Sequence, residues 1–278
     1  MKQFKDQLKR TIEVNFPPKK IISLVPSQTE LLYDLGLDVE IVGITQFCIH
    51  PKEKYKEKIK VGGTKNIKID KIRALKPDLI IANKEENSKE DIEALTKEFP
   101  VWISDIYNLA DSYKMITDIG ELCNKESKAI EIVKQIRSDF KQMIKAKHSP
   151  SVAYIIWQKP IMSVNQNTFI HEMLLESGFH NVFKNHSDRY PEITAKELTE
   201  ANPDYIFLSS EPYPFKENHL KEFGQKFPNS VIILADGEMF SWYGSRLKKF
   251  GEYYNTKLYT LLKSKKTKAI TFNSHKKA

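Results

Sequence analysis

A chain of 278 residues with 40% hydrophobic content has an ordinary globular composition and room for one large or two moderate domains. No apolar run approaches the ~18–20 residues that cross a bilayer, and two cysteines, Cys48 and Cys123, are too few for a zinc cluster or a disulfide framework. The formal charge of +8 sits largely in the last sixteen residues, which hold six lysines and no acid; the remaining 38 basic and 36 acidic residues nearly balance, so the body lacks the basic stripe a nucleic-acid groove binder needs.

Taken in order, residues 1–18 read as an amphipathic arm in which Pro17-Pro18 stops any helix. The arm carries charges but no apolar segment of a secretory signal, which leaves a cytoplasmic location open. Residues 19–106 read as a first lobe with strands at 20–26, 40–45, 78–83 and 101–105. Helices open at Ser27 and Ser88, where Ser27-Gln28-Thr29-Glu30 and Ser88-Lys89-Glu90-Asp91 are capping-box patterns. Strands alternating with helices imply a parallel sheet covered on both faces.

Residues 107–147 show helical spacing only: Met115, Ile116, Ile119 and Leu122, then Ile130, Val133, Ile136, Phe140 and Met143 or Ile144. Gly120 and Asn124 are expected to divide them, with Asn124 capping a long connecting helix of about 23 residues and about 35 Å. Residues 148–262 read as a second α/β lobe, with strands at 152–157, 205–210 and 231–236, a helix stopped at Gly178 and a last helix from Ser245 to Leu262. Residues 263–278 form the basic tail.

The two lobes echo each other. "IRALKPDLIIANKEEN" (72–87) and "LTEANPDYIFLSSEPY" (198–213) both run from helix through Pro-Asp into an apolar strand. Pro77 and Pro203 end the helices and push the residue before each towards extended geometry. Gly36 and Gly178 occupy matching places after short amphipathic helices, where a left-handed turn is expected. Two echoes in one order indicate two lobes of one plan.

Ligands of open parallel sheets lie beyond the carboxyl ends of the strands. Those ends carry Ser27 and Gln28, then Phe47, Cys48 and His50, Asn83, Trp157, Ser209-Ser210, and "DGEMFSWYGSR" (236–246). Met239, Phe240, Trp242 and Tyr243 make the last stretch an aromatic platform for a flat, partly apolar ligand, or core under a loop. Cys48 and His50 are candidate iron or cobalt ligands, or a packed thiol and a surface imidazole; the metal, if any, is unassigned. Arg246 could face the ligand or pin the last helix. Phosphate-loop, dinucleotide and nucleophile-elbow patterns are absent, and Asp105 and Asp236 read as helix caps or loop anchors, so binding is favoured over catalysis.

"KIISLVPSQTELLYDLGL", "IVGIT…HP", "VGGTKNIKIDKIRALKPDLIIA" and "ELTEANPDYIFL", in this order, resemble the helical-backbone substrate-binding proteins of ABC importers, the receptors for cobalamin, siderophores and haem. The resemblance spans about residues 19–262. It implies a class III periplasmic-binding-protein fold, two three-layer α/β lobes joined by one backbone helix. Also implied are a non-enzymatic role without a covalent cofactor, a cobalamin, other corrinoid, haem or ferric siderophore ligand held in the cleft between the lobes, and a periplasmic or membrane-associated monomer. Phe47 and Tyr190 match aromatic positions of cobalamin pockets, while Thr64 and Asn83 stand where tryptophans are expected. An anionic ferric chelate would instead engage Lys65, Lys84, Arg189 and Arg246. Permease subunits would dock through Asp70 and, next to Lys196 at the second matching position, Glu197. A cytosolic metallocofactor carrier or enzyme on the same scaffold is the alternative.

Overall fold

The computed structural model describes residues 1–263, so the basic tail lies outside the described residues beyond Lys263. The chain divides into two compact units, residues 1–137 with 243–248, and 138–242 with the chain from Lys249 on.

The first unit opens with a hairpin, β1 (Lys2–Lys5) and β2 (Thr11–Val14). It continues through β3 (Ile21–Ser23), α1 (Pro26–Asp34), β4 (Ile41–Ile44), α2 (Lys52–Glu57), β5 (Ile59–Lys60), α3 (Ile69–Leu75), β6 (Leu79–Asn83), α4 (Lys89–Thr96), β7 (Val101–Ser104), α5 (Leu109–Leu122) and most of α6 (Glu126–Lys141). The five strands β5-β4-β3-β6-β7 are all parallel. Chain order reverses direction at β3/β6, the switch point where the crevice of such a sheet opens. Ile22, Leu24, Ile80, Ala82, Val101 and Ile103 supply its core from both neighbours of that switch.

The arm at 1–18 is therefore a hairpin with a structural task. Gln7 donates its backbone N–H to Ile103 O (3.2 Å), the Trp102 indole donates to Lys5 O (3.3 Å), and Arg10, paired with Asp6, donates to Val101 O (2.9 Å). The hairpin covers the free edge at β7, which would otherwise present unpaired backbone groups.

The second unit contains β8 (Ser151–Ile155), α7 (Phe169–Glu176), β9 (His180–Asn181), α8 (Ala195–Ala201), β10 (Tyr205–Ser209), α9 (Glu217–Lys226), β11 (Val231–Ala235), α10 (Gly237–Ser241), the greater part of α11 (Leu247–Tyr253), and α12 (Tyr259–Lys263). Its parallel sheet has the order β11-β10-β8-β9, with the switch at β8/β10. Tyr154, Phe179, Phe207, Phe240 and Phe250 meet edge-on or tilted at 5.1–6.4 Å to form an aromatic centre.

Both echoes are visible in the backbone. Gly36 and Gly178 take φ of +82° and +86°. Lys76 and Asn202, the residues before the two prolines, are left-handed with φ of 48° and 39°, not extended. Each donates its N–H back into the ending helix, to Arg73 O and Thr199 O, and that bond outweighs the steric preference.

Five local expectations are corrected. Helix α1 starts at Pro26 with Val25 as N-cap, whose side chain has no acceptor to cap with, and Glu30 pairs with Arg246 instead of closing a capping box. Asn124 (φ 58°) closes α5 instead of opening α6, with Lys125 N–H bonded to Gly120 O. The connecting helix α6 has 16 residues, about 24 Å. Beyond it the chain turns to bond α7, through Ala146 N–H to Ser177 O, and His148 and Ser149 lie at positive φ before Pro150. The last helix is broken by a π-turn, Tyr254–Leu258. Residues 243–248, expected in the second lobe, belong to the first unit.

Gly120 lies inside α5 rather than between helices. A Cβ there would stand 2.3 Å from Ala129 Cβ, so glycine allows α6 to lie against α5. Gly120→Ala is expected to cost about 1–3 kcal/mol by overpacking, read as a lowered midpoint in denaturant unfolding with unchanged slope.

Candidate functional site

The carboxyl-end face of the first unit has two layers. The inner one is a polar knot. Asn83 donates to Ser104 O (3.2 Å) and Oγ (2.9 Å) while its Oδ1 accepts from Glu85 and Glu86 N–H (2.8 and 2.9 Å), so its hydrogen-bonding capacity is spent on its own loop. Gln28 donates to Ser104 Oγ, and its Oε1 has no hydrogen-bond partner among the described residues. The buried Tyr243 hydroxyl lies beside Ser27 and Ser104; burial and the Glu86 and Glu85 carboxylates hold its phenol well above the ordinary range. Ser27, Gln28, Asn83 and Tyr243, four expected ligand contacts, are thus buried together under the face.

The outer layer is what a solute meets. Phe47 is 51% exposed on the loop after β4, with Gly63 close beneath its ring. His50 and Thr64 are half-buried. Cys48 points inward, its Sγ 3.1 Å from both Thr29 and Thr45 Oγ1, and burial raises the thiol. Cys48 is therefore a packed thiol, and among the described residues no three His, Cys, Asp or Glu side chains converge as a metal cage.

The cations that would meet an anionic chelate have internal partners. Lys65 donates to Glu85 O and Asn87 O, Lys84 pairs with Asp105 at 2.7 Å, and Arg189 lies over the Tyr190 ring at 5.6 Å. Arg246 pairs with Glu30 at 2.8 Å, the two side chains only 6% and 7% exposed. Arg246 pins the returning segment to α1, and Lys248–Asp34 (3.1 Å) repeats the contact one turn along α1.

On the second unit, Trp157 follows β8, is 39% exposed, and stands edge-on to Tyr213 at 5.4 Å. Tyr190 is half-buried. Trp242 is mostly buried and donates from Nε1 to Glu211 Oε1 at 2.9 Å. Phe240 has no exposure and belongs to the aromatic centre, which corrects its expected place on a platform. Glu211 and Tyr213, two and four residues beyond the end of β10, lie past the strand-end positions that the sequence singles out.

Asp70 lies in the first turn of α3, its side chain 95% exposed, paired with Arg73 at 2.9 Å. Glu197 closes a capping box on α8, accepting from Thr194 N–H and Oγ1 (2.7 and 2.6 Å), which holds its carboxyl below the usual range. Lys196 beside it is exposed and bonded to Glu200.

Among the described residues no helix is long and apolar enough to cross a membrane. The model of the periplasmic binding protein family matches residues 21–232. An ABC transporter substrate-binding lipoprotein of Bacillus subtilis is 31% identical over 212 residues, 72% of this chain and 67% of that one. The vitamin B12-binding protein of Vibrio parahaemolyticus is 29% identical over 201 residues, 70% of this chain and 72% of its own. The solved periplasmic vitamin B12-binding protein of Vibrio cholerae superposes with a TM-score of 0.72 at 22% identity, over 89% of this chain and 99% of the other. A possible iron-binding protein of Staphylococcus epidermidis gives 0.74 at 24%, over 87% and 99%. Two parallel α/β sheets, spent polar groups inside and exposed aromatics outside fit a surface that binds and does not react. The chain belongs to the periplasmic binding protein family, whose members are binding proteins and not enzymes.

Proposed function

We propose that this chain is the substrate-binding protein of an ABC importer and that its cargo is a flat metal chelate of the corrinoid class. One observation carries the choice of cargo: the groups left for a solute at the strand ends are aromatic, Phe47 on one unit and Trp157 on the other, while the nearby cations have internal partners. Stacking on a macrocycle contributes about 0.5–1.5 kcal/mol per ring beyond area burial, whereas a ferric siderophore carrying negative charge needs cations to spare. The relatives described as vitamin B12-binding and as a substrate-binding lipoprotein support the same reading, and with it a place outside the cytoplasm.

Ser27, Gln28, Asn83 and Tyr243 shape the first face from beneath; Phe47, His50 and Thr64 touch cargo there, and Trp157, Tyr190 and Trp242 do so on the second. Asp70 is the docking acid of the first unit for the permease arginines. Glu197 serves the second, using the Oε1 that the cap does not bond.

Titration of the purified chain with aquocobalamin, haemin and a ferric siderophore tests this, read by tryptophan fluorescence and visible absorbance. Saturable quenching at micromolar or tighter concentration by aquocobalamin, weakened at least tenfold by Trp157→Ala, is expected. Tighter binding of the siderophore would reject the corrinoid, and no quenching by any of the three would reject the receptor.

A further inference from the structure

We propose that Glu211 and Tyr213, on the loop that follows β10, are positioning residues that preset the two tryptophans of the second unit's ligand face, and through them its selectivity. The proposal rests on the chelate-binding reading above. Both residues lie at the β8/β10 switch, where the sheet opens.

Glu211 is fixed from several sides. Its Oε1 accepts from Trp242 Nε1 (2.9 Å) and Ser241 Oγ (2.7 Å). Its carbonyl accepts from Ser209 Oγ (2.6 Å), which is itself 3.0 Å from the Tyr154 hydroxyl. A Cβ on Gly237 would stand 2.4 Å from Glu211 Cγ, so the α10 backbone closes directly over the side chain. Burial and the Glu238 and Asp236 carboxylates raise the Glu211 carboxyl, against the two donors. A carboxyl group is a costly way to fill such a place unless its acceptor is needed, and the acceptor meets an indole N–H.

Tyr213 does the same for Trp157 from the other side of the loop. Its ring packs on Phe215 (4.6 Å) and His219 (5.6 Å), and its hydroxyl donates to Gln158 Oε1 (2.5 Å), whose amide is held by Glu222 (2.8 Å). The exposed indole of Trp157 therefore rests edge-on against a ring that is itself anchored twice. Side chains fixed before binding lose little rotamer freedom on contact, so the loop sets the spacing of the aromatic platform without itself bearing the cargo.

The test uses Glu211→Ala, Glu211→Gln, Tyr213→Ala and Tyr213→Phe in the full chain, each also combined with Trp242→Phe or Trp157→Phe. The readouts are emission without ligand and affinity for aquocobalamin, with a thermal melt confirming that each variant is folded. Glu211→Ala is expected to red-shift the Trp242 contribution and weaken affinity about tenfold. Glu211→Gln, which keeps an acceptor, should stay within about twofold, and in the Trp242→Phe background Glu211→Ala should add nothing. Tyr213→Ala should behave likewise with Trp157, and Tyr213→Phe should fall between it and the parent. An affinity loss that persists after the paired tryptophan is gone, or unshifted emission in Glu211→Ala, overturns the proposal. If the unaltered chain binds none of the chelates, the receptor reading fails on its own, and the emission measurements still decide whether the loop positions the indoles.

Discussion

Arg246→Ala is expected to destabilise the protein by about 3–5 kcal/mol. Arg246 and Glu30 are almost wholly buried and 2.8 Å apart, so truncating the arginine leaves a carboxylate in a place where water cannot reach it. Glu30→Ala should cost a similar amount by leaving the guanidinium. Replacing both with methionine should recover most of the loss, because the pair's attraction roughly offsets the desolvation of its two charges. Urea unfolding of the parent, the two alanine variants and the double alanine variant gives the coupling, and the double methionine variant reads the recovery. The opposite pattern, an unchanged midpoint with weakened chelate binding, would mean that Arg246 serves the cargo.

Phe240→Ala should be comparably severe, about 3–5 kcal/mol, because its ring closes the aromatic centre formed with Tyr154, Phe207 and Phe250 and leaves a cavity when removed. Phe240→Leu should cost less than about 1.5 kcal/mol. At temperatures where the variants remain folded, cargo affinity should stay close to that of the parent. Trp157→Ala is the mirror image: exposed by 39%, it should leave stability nearly unchanged while weakening binding at least tenfold. A Phe240→Leu variant that melts normally but fails to bind would return Phe240 to the ligand face.

The parts of the fold that could be read from sequence are those where one residue type answers one backbone requirement. Gly36 and Gly178 had to be left-handed, and Pro77 and Pro203 had to end helices; all four positions read correctly. Short elements were not legible. β5 and β9 have two residues each, and α10 has five, too few for any period to register. The arm at 1–18 hid its hairpin because Lys2–Lys5 and Thr11–Val14 alternate with charges like a solvated segment. At the site, residue type and chain position put Phe47 and Trp157 at strand ends, where both side chains are exposed, but did not show that Asn83 and Gln28 are already bonded to Ser104 beside the buried Tyr243. A hydrogen-bond partner distant in sequence leaves no trace in local pattern: Gln28 to Ser104 and Arg246 to Glu30 each join separate stretches. Glu211 and Tyr213 escaped for the same reason, their partners being an indole 31 residues on and an amide 55 residues back.

The return of residues 243–248 to the first unit bears on how the chain is made. During synthesis residues 1–137 emerge first, yet the segment carrying Arg246 follows only after about a hundred more residues. At roughly 5–20 residues per second the nascent first unit waits on the order of ten seconds without the Arg246 guanidinium against Glu30. A chain that ends before residue 246 lacks that pair, so its first unit should unfold at lower denaturant than the same unit in the full chain.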